Sequence, residues 1–394
     1  MKKIAFPMLM AILCLSWGWV FRLAILPKLG GTVFAAPAPQ DQETSAAYLP
    51  VTGPCGLEFP RDHGSHPGYR TEWWYYTGNL RAGTGELFGF QLTFFRRQIS
   101  PPGASSQWPQ PPSPWRTQQV YFAHAAVTDI SSKQFHHGEV MARGALGMAG
   151  VQQRDSTTTV FVKNWEVALD GKEHRLQAES DDFHFHLFLQ AEKEPASHGL
   201  SGYSRKGSAP ASASCYYSIT RLSAGGTMGL KGRQYEVEGL AWMDHEYSSA
   251  PLEANLAGWD WFSLQLADRS ELMIYQLRQQ NGSAHPASSG TYVDRSGRAF
   301  HLEAGAFAVE VLDYWTSPHT GSRYPHRWVV TIPSRQLELV VEPNLDDQEM
   351  RTTQPTNITY WEGSVGVRGS TEHGAVSGMG YVELTGYAGS LPMF

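Results

Sequence analysis

Hydrophobic and polar residues alternate along most of the chain with a period of two. In the run 183–189, FHFHLFL, Phe183, Phe185 and Leu187 fall on one face and the histidines on the other. Successive side chains of a strand point to opposite faces, so this pattern predicts a half-buried strand. Similar runs, separated by turn residues, occupy 86–97, 120–128, 157–167, 235–243, 259–266, 271–277 and 326–332. No segment shows the capped 3.6-residue stripe of a helix, and the sequence predicts an all-β chain.

Two long segments interrupt this pattern. Residues 99–119 contain six prolines together with Trp108 and Trp115. Proline cannot donate to a strand ladder, so this segment is no central strand, and its length is typical of a lid or binding loop. Residues 192–214, rich in Ser, Ala and Gly, form a second predicted loop.

Two internal similarities indicate a duplicated β unit. A shift of 185 residues aligns Trp74 with Trp259 and Tyr76 with Trp261. Later in each half, VEGLAWMD (237–244) resembles VSGMGYVE (376–383), and the pair YY at 216–217 resembles YW at 360–361. Closing each unit into a barrel would remove its edge strands and leave room for one small ligand. We therefore predict two tandem β-barrel domains, residues 50–248 and 256–390, related by an internal repeat.

The chain is acidic, with 31 basic and 37 acidic residues and a net charge of −6. Residues 1–36 hold four of the basic residues and no acidic one, so the remainder carries a net charge of −10. Nucleic-acid binding depends on basic patches, and the sequence predicts no nucleic-acid partner.

The N-terminal segment predicts export. Lys2 and Lys3 precede an uncharged run over 4–20, and Val33-Phe34-Ala35 is a plausible cleavage site. Residues 1–35 are interpreted as a signal peptide, with an uncleaved N-terminal anchor as the alternative. The expected location is the periplasm, the extracellular space or the outer face of a membrane, where a membrane or an export system is a nearby partner. In that compartment Cys55 and Cys215 either pair in a disulfide or remain two independent buried thiols.

Several unusual motifs resemble one known family. They are YRTEWWYYTG (69–78), YFAH (121–124), GYSRKG (202–207), WMDHEY (242–247) and GWDWF (258–262). They resemble the AttH-like, carotenoid 1,2-hydratase-like lipocalin family, and the resemblance runs from about residue 60 to 386. It implies two lipocalin-like barrels. Members of the family include enzymes that hydrate a terminal carotenoid double bond and relatives that cyclise polyene-like intermediates.

The resemblance to the hydratases is incomplete at the reacting groups. Their His-x-Trp pair maps onto His245 and Tyr247, so that Trp is replaced by Tyr. Their Tyr-x-Asp pair maps onto Tyr275 and Leu277, so that the carboxylate is lost. Protonating an alkene requires an acid, and this departure argues against carotenoid hydration itself.

These observations give two sets of candidate site residues near the junction of the barrels. The catalytic candidates are Asp244, His245, Tyr247, Asp260 and Tyr275, with His245 as an acid or base supported by Asp260 or Asp244. The ligand-binding candidates are Glu72, Trp73, Trp74, His124, Trp242, Trp259 and Trp261. The alternatives are structural: a hydrogen-bonded staple around His245, an ion pair of Glu72 with Arg70 or Arg96, and a buried core histidine at 124.

Two classes of function follow. The first is an exported binder of an apolar small molecule, an isoprenoid, polyene or lipid-like ligand, which would act by hydratase-like or cyclase-like acid catalysis if it is an enzyme. The second is a carbohydrate-binding or glycoside-active protein with surface Trp residues and paired carboxylates. No CxxC, HExxH, GxSxG or phosphate-binding glycine motif is present, and the sequence predicts no metal and no cofactor.

Overall fold

The computed structural model describes residues 48–102, 108–352 and 356–389, and it is built almost entirely of antiparallel strands. Two 3₁₀ turns, Arg61–His63 and Pro333–Arg335, are its helical elements in these ranges. Within them, no helix has the length and apolar character that crossing a membrane requires. The predicted signal or anchor at 1–35 lies outside the described residues.

The first sheet contains thirteen strands. They are β1 Thr71–Ala82, β2 Leu87–Gln98, β3 Gln119–Asp129, β4 Gln134–Arg143, β5 Ala149–Arg154, β6 Thr157–Val162, β7 Trp165–Asp170, β8 Glu173–Glu179, β9 Phe183–Ala191, β10 Ala196–Ser197, β11 Tyr203–Arg205, β12 Ala213–Leu230 and β13 Arg233–Ser248. The spatial order is β4-β3-β2-β1-β13-β12-β9-β8-β7-β6-β5, with β10 and β11 paired to β12. Gly138 of β4 faces Trp165 of β7, so the sheet curls until its two ends approach each other around a common core.

The second sheet contains ten strands. They are β14 Leu256–Leu266, β15 Glu271–Gln279, β16 Ser289–Val293, β17 Ala299–Glu303, β18 Ala308–Thr316, β19 Arg323–Ile332, β20 Leu337–Pro343, β21 Glu349–Arg351, β22 Thr359–Thr371 and β23 Gly374–Leu384. The order is β17-β16-β15-β14-β23-β22-β20-β19-β18, with β21 paired to β22. This sheet also surrounds a core of its own.

The central parts of the two sheets have the same topology, although the first sheet continues for two more strands beyond β12 than the second does beyond β22. In each, the first strand pairs with the last, β1 with β13 and β14 with β23. The penultimate long strands, β12 and β22, lie beside these last strands and carry the short extra strands. The prediction of an all-β chain with two barrel-like sheets related by a repeat is confirmed.

The pairing register corrects the predicted alignment of the repeat. Tyr75 pairs with Asp244 in the first sheet, and Trp261 pairs with Glu383 in the second. The similar runs 237–244 and 376–383 make Asp244 and Glu383 equivalent, so Tyr75 corresponds to Trp261, a shift of 186 rather than 185. The predicted shift of 185 was therefore wrong by one residue between β1 and β14. Since a slip of one residue exchanges the two faces of a strand, it matched residues that face opposite sides of the two sheets.

A second correction concerns the run 157–167, which is not one strand. It is the hairpin of β6 and β7, which turns at Lys163 with a φ of 58°. The hydrophobic pattern continues through this hairpin because the core-facing residues of both strands are apolar.

The two sheets pack face to face through strands that are equivalent in the repeat. The side-chain amide of Asn79 in β1 donates to the carbonyl of Gly380 in β23 (3.1 Å). Its equivalent in β14, Gln265, donates to the carbonyl of Ala241 in β13 (2.9 Å).

A disulfide joins Cys55 to Cys215 and connects the N-terminal arm to β12. The sequence had left open whether these two cysteines pair.

A buried ion cluster also joins the sheets. The Glu271 carboxylate of β15 accepts from Lys193 Nζ (2.6 Å) and from Arg221 Nε of β12 (2.5 Å). All three side chains are at most 5% exposed. Removing the anion would leave two buried cations facing each other without a counter-charge.

We expect E271Q to lower the free energy of unfolding by about 3–5 kcal/mol, the range for removing one partner of a buried ion pair. Chemical denaturation measures the change. The control is E338Q at an exposed position of the same sheet, for which we expect a change within ~0.5 kcal/mol. Equal denaturation midpoints for the two variants would contradict the assigned role of Glu271.

Candidate functional site

A cavity of about 210 Å³ lies between the two sheets. On β1 the odd-numbered residues Trp73 and Tyr75 face it, whereas the even-numbered Trp74 and Tyr76 point into the core of the first sheet. On β14 Trp259 and Trp261 face the cavity, and Phe262 points into the core of the second sheet. The cavity is therefore outside both barrel cores, where the two sheets meet.

Equivalent positions of the two halves line the cavity in pairs. Equivalent residues are identified strand by strand from the pairing with the neighbouring strand, so the shift differs from one strand to the next. The pairs are Trp73 and Trp259, Tyr75 and Trp261, Thr93 and Tyr275, Phe95 and Leu277, Ser214 and Ile358, Tyr216 and Tyr360, and Asp244 and Glu383. Ala250, Pro251 and Leu252 of the linker between the sheets form part of the rim, and Pro251 is exposed. The surface of the cavity is mainly apolar and is formed largely by aromatic rings, but charged and hydrogen-bonding side chains are numerous among the lining residues.

Asp244 is a buried carboxyl group in this lining. One oxygen accepts from Trp242 Nε1 (2.6 Å) and from the Ser218 hydroxyl, and the other accepts from the Tyr216 hydroxyl (2.6 Å). These donors are neutral, and burial raises the pKa of Asp244 to about 7. A carboxyl group with that pKa is partly protonated at neutral pH and can serve as a general acid.

Glu383 is the equivalent carboxyl group of the second half. It accepts from Trp259 Nε1 (2.9 Å), and burial raises its pKa to about 7. On the neighbouring strand Glu362 is fully buried and accepts from the Tyr75 hydroxyl (2.5 Å). Burial and the proximity of Glu383 raise the pKa of Glu362 well above its usual range. Three protonatable carboxyl groups therefore lie at or beside the cavity.

One cation lies among the cavity-lining residues. The ammonium of Lys206 lies 3.1 Å from the Glu246 carboxylate and 3.9 Å from the centre of the Tyr275 ring. Burial lowers the pKa of Lys206, but Glu246, Tyr275 and Asp244 together outweigh burial, and the net pKa is above its usual value. The side chain is charged at neutral pH.

His245 lies on the opposite face of β13 from Asp244 and does not reach the cavity. It is fully buried, its Nε2 is 2.9 Å from the Glu72 carboxylate, and its Nδ1 is 3.0 Å from the Tyr217 hydroxyl. Trp74 stacks on its ring at 4.7 Å. The supporting carboxylate is thus Glu72, not Asp260 or Asp244 as predicted, and both ring nitrogens have partners.

The Glu72 network also contains the one potential metal cluster found among the described residues, His66, Glu72 and His245. Burial would raise the pKa of Glu72, but Arg96, whose Nε donates at 2.7 Å, holds it well below its usual range. His66 Nδ1 lies 2.7 Å from the same carboxylate, and its Nε2 lies 3.1 Å from Asp62. Carboxylates therefore flank His66 on both sides, and the donors around Glu72 match a hydrogen-bonded network better than a cation site.

The structure separates the predicted site residues into two groups. Those that line the cavity are Asp244, Tyr275, Trp73, His124, Trp259 and Trp261. Trp242 lies directly behind Asp244. Glu72, Trp74, His245, Tyr247 and Asp260 do not line this cavity and face away from it. The predicted arrangement of all five catalytic candidates around one pocket was therefore wrong for His245, Tyr247 and Asp260. Tyr247 stacks on His66 at 3.7 Å, and Asp260 pairs with Arg278 and Tyr387. Alternation along β1, β13 and β14 is the physical reason.

Sequence reasoning missed several cavity groups, among them Lys206, Tyr216, Tyr360 and Glu383. A signal for three of them was present, because the similar runs align Asp244 with Glu383 and Tyr216 with Tyr360. Lys206 has no counterpart in the repeat and gave no such signal. In the predicted binding loop, none of the described residues (99–102 and 108–119) lines the cavity.

Comparisons with known proteins agree with the fold. The model of the AttH-like family matches residues 50–387. A protein from Nitrosomonas europaea that carries the family name AttH is 32% identical, and the alignment covers 86% of this chain and 99% of that one with a TM-score of 0.75. Among proteins with curated functions, none matches this sequence.

Two more distant structures share the architecture. Kievitone hydratase from Nectria haematococca is 12% identical, with 87% of this chain and 98% of that one covered and a TM-score of 0.65. CghA, solved with Sch210972, is 12% identical, with 86% and 96% covered and a TM-score of 0.51. At this identity they support the two-barrel, lipocalin-like fold alone. The match to the family model over residues 50–387 and the 32% identity to the Nitrosomonas protein show, in addition, that the chain belongs to the AttH-like family.

Proposed function

We propose that this protein binds a compact, unsaturated apolar molecule, such as an isoprenoid, a polyene end or a lipid-like compound, in the cavity between its sheets and acts on a double bond by acid catalysis. The observation that carries the proposal is that two carboxyl groups with pKa values of about 7, those of Asp244 and Glu383, line the same largely apolar cavity. Such a combination of an apolar pocket and a few perturbed titratable groups is typical of a catalytic site.

The size of the cavity limits the ligand. A cavity of ~150 Å³ holds benzene, so 210 Å³ accommodates a bicyclic compound or a short branched chain. An entire carotene exceeds this volume. One end of such a chain would fit, but Leu277 stands at the position of the hydratase Asp, and the loss of that carboxyl group argues against carotenoid hydration as the reaction.

The chemistry follows from the arrangement of the lining. Protonated Asp244 transfers its proton to one alkene carbon, and the positive charge develops on the neighbouring carbon. The faces of Trp261, Tyr216 and Tyr75 stabilise the cation, each by roughly 0.5–2 kcal/mol. The oxygen of a water molecule then bonds to the cationic carbon, and the proton that it releases returns to the Asp244 carboxylate. If a second double bond of the ligand attacks instead of water, a carbon–carbon bond closes a ring and the positive charge moves to the far carbon of that double bond. Loss of a proton from the adjacent carbon to the Asp244 carboxylate then restores both a double bond and the acid.

The geometry favours this class over a carbohydrate-active protein. Sugar-binding sites offer exposed Trp faces in an open groove, whereas Trp261 is 5% exposed and Trp73 and Trp259 are only partly exposed. Hydrogen-bonding side chains are present in the lining, but the surface that a ligand would contact is mainly apolar, which suits a hydrocarbon better than a sugar.

We further propose that the protein works outside the cytoplasm. The disulfide between Cys55 and Cys215 supports this location, because such bonds persist in oxidising compartments.

Blocking the rim tests the location of the binding site. Ala250 lines the cavity and Ala254 lies exposed in the same linker. We expect A250W to weaken the binding of naphthalene about tenfold or more, since an overpacked site costs ~1–3 kcal/mol. A254W should bind as the wild type does. Equilibrium dialysis measures both, and unchanged binding by A250W would place the ligand elsewhere.

Titration of the cavity carboxyl groups tests the acid. Asp244 and Glu383 have raised pKa values, so each is protonated below about pH 7 and ionised above it. Burial is the main cause of both raised pKa values, and Glu246 raises both further, as Asp244 does for Glu383. Hydrogen bonds from Ser218, Tyr216 and Trp242 lower the pKa of Asp244, while Trp259 and Lys206 lower that of Glu383. We expect the infrared band of protonated carboxyl groups to decrease as the pH rises through about 7, and catalysis by the acid to decline over the same range.

The variants D244N and E383Q should each lose part of this neutral-range titration, because each removes one titrating carboxyl group. The exposed Asp268 provides the control D268N, which should titrate as the wild type does. Asp260 remains in every variant and cancels in the comparison. Glu362 remains as well, but its pKa depends on Glu383, so D244N is the cleaner of the two variants. A D244N spectrum identical to that of the wild type across the neutral range would exclude Asp244 as the acid.

A further inference from the structure

The ion pair of Lys206 and Glu246 is not required by the fold. Glu246 is two residues beyond Asp244 on β13, and the equivalent position, two residues beyond Glu383, is Thr385. Thr385 is neutral, and its hydroxyl accepts a hydrogen bond from the Trp259 backbone (2.9 Å). The second half therefore builds the same part of its sheet without a charge, and the pair is a feature of the cavity rather than of the barrel.

Lys206 has donor capacity directed at the cavity. An ammonium group carries three N–H donors and no acceptor. One carboxylate, Glu246, lies within reach at 3.1 Å, and the other near neighbours are the faces of Tyr275 at 3.9 Å and Tyr216 at 4.8 Å. The Lys206 side chain is 24% exposed and the Glu246 side chain 7%, so the pair is largely shielded from water. A hydroxyl group placed beside it would accept from Lys206 and donate to Glu246.

The balance of charge within the pair favours a neutral partner for it. Lys206 and Glu246 compensate each other, so an anionic group bound there would oppose Glu246 and a cationic group would oppose Lys206. A pure hydrocarbon would cover both charges and replace none of their lost hydration, which is unfavourable for a buried charged group. A hydroxyl or carbonyl oxygen satisfies the pair without adding charge.

We propose that Lys206 and Glu246 bind a neutral hydroxyl or carbonyl oxygen of the ligand, so that the substrate is a compact apolar molecule with an oxygen at one end and a double bond near Asp244. This inference rests on the proposed function, since it assumes that the cavity between the sheets is the binding site. The pair then selects the substrate and fixes its orientation, while Asp244 supplies the proton.

A matched pair of probes tests this assignment. Naphthalene and 2-naphthol have almost the same shape and differ by one hydroxyl group. A purely apolar cavity would favour naphthalene, which is the less water-soluble of the two. We expect the wild type to bind 2-naphthol about tenfold or more tightly than naphthalene in equilibrium dialysis, because a site built around a hydroxyl discriminates strongly against the analogue that lacks it.

The variant K206M/E246Q removes both charges together and leaves no unpaired buried ion. It should lose the preference for 2-naphthol and bind naphthalene at least as well as the wild type, which also reports that the cavity is intact. The control is K172M/E194Q, which removes the surface pair of Lys172 and Glu194, whose side chains are 55% and 78% exposed. It should keep the wild-type preference.

The outcomes separate the two proposals. Binding of naphthalene without any preference for 2-naphthol, or a preference that survives in K206M/E246Q, overturns the role of the pair and leaves the proposed cavity function intact. Failure of the wild type to bind either probe overturns both. Melting temperatures of all variants, measured in parallel, identify any loss of binding that results from unfolding.

Discussion

The central strands of this protein are buried on both faces, and the positions of its functional groups follow from that constraint. One face of β1, β13, β14 and β23 packs into a barrel core, and the other packs against the opposite sheet. Polar groups on the second face must find partners across the contact, as Asn79 and Gln265 do with backbone carbonyls. Where the aromatic side chains of the two sheets do not fill the space completely, they leave the cavity that contains Asp244.

The same alternation gives two buried carboxyl groups opposite properties. Glu72 and Asp244 lie on adjacent strands, but Glu72 faces the first barrel and meets the Arg96 guanidinium with two histidines. Asp244 faces the second sheet and meets only neutral donors. The pKa of Glu72 is consequently held low and that of Asp244 is raised. Glu72 is suited to holding the barrel together, and Asp244 is suited to releasing a proton.

Much of the fold could be predicted from the sequence because it is encoded locally. Period-two alternation identified β2, β3, β9, β13, β14, β15 and β19, but not the central strands β1, β12, β22 and β23. The similar runs 237–244 and 376–383 indicated the duplication. The site could be predicted only in part. WMDHEY (242–247) shows which residues share a face but not which face meets the second sheet. Which face meets the second sheet depends on the pairing between β1 and β13, which are far apart in the chain. This pairing determines that Asp244, and not His245, lines the cavity. Lys206 comes from a loop whose course no periodicity describes.

The repeat has a consequence for the orientation in which a ligand binds. Equivalent positions of the two halves line the cavity, so two identical halves would present the same groups at both ends. An unsymmetrical molecule would then bind in two equivalent orientations, and a reaction at one of its faces would occur equally at either end. Lys206 and Glu246 occur in only one half, and Thr385 stands at the position of Glu246 in the other. The two ends of the cavity are therefore chemically different, and an unsymmetrical molecule with an oxygen at one end has one preferred orientation in it.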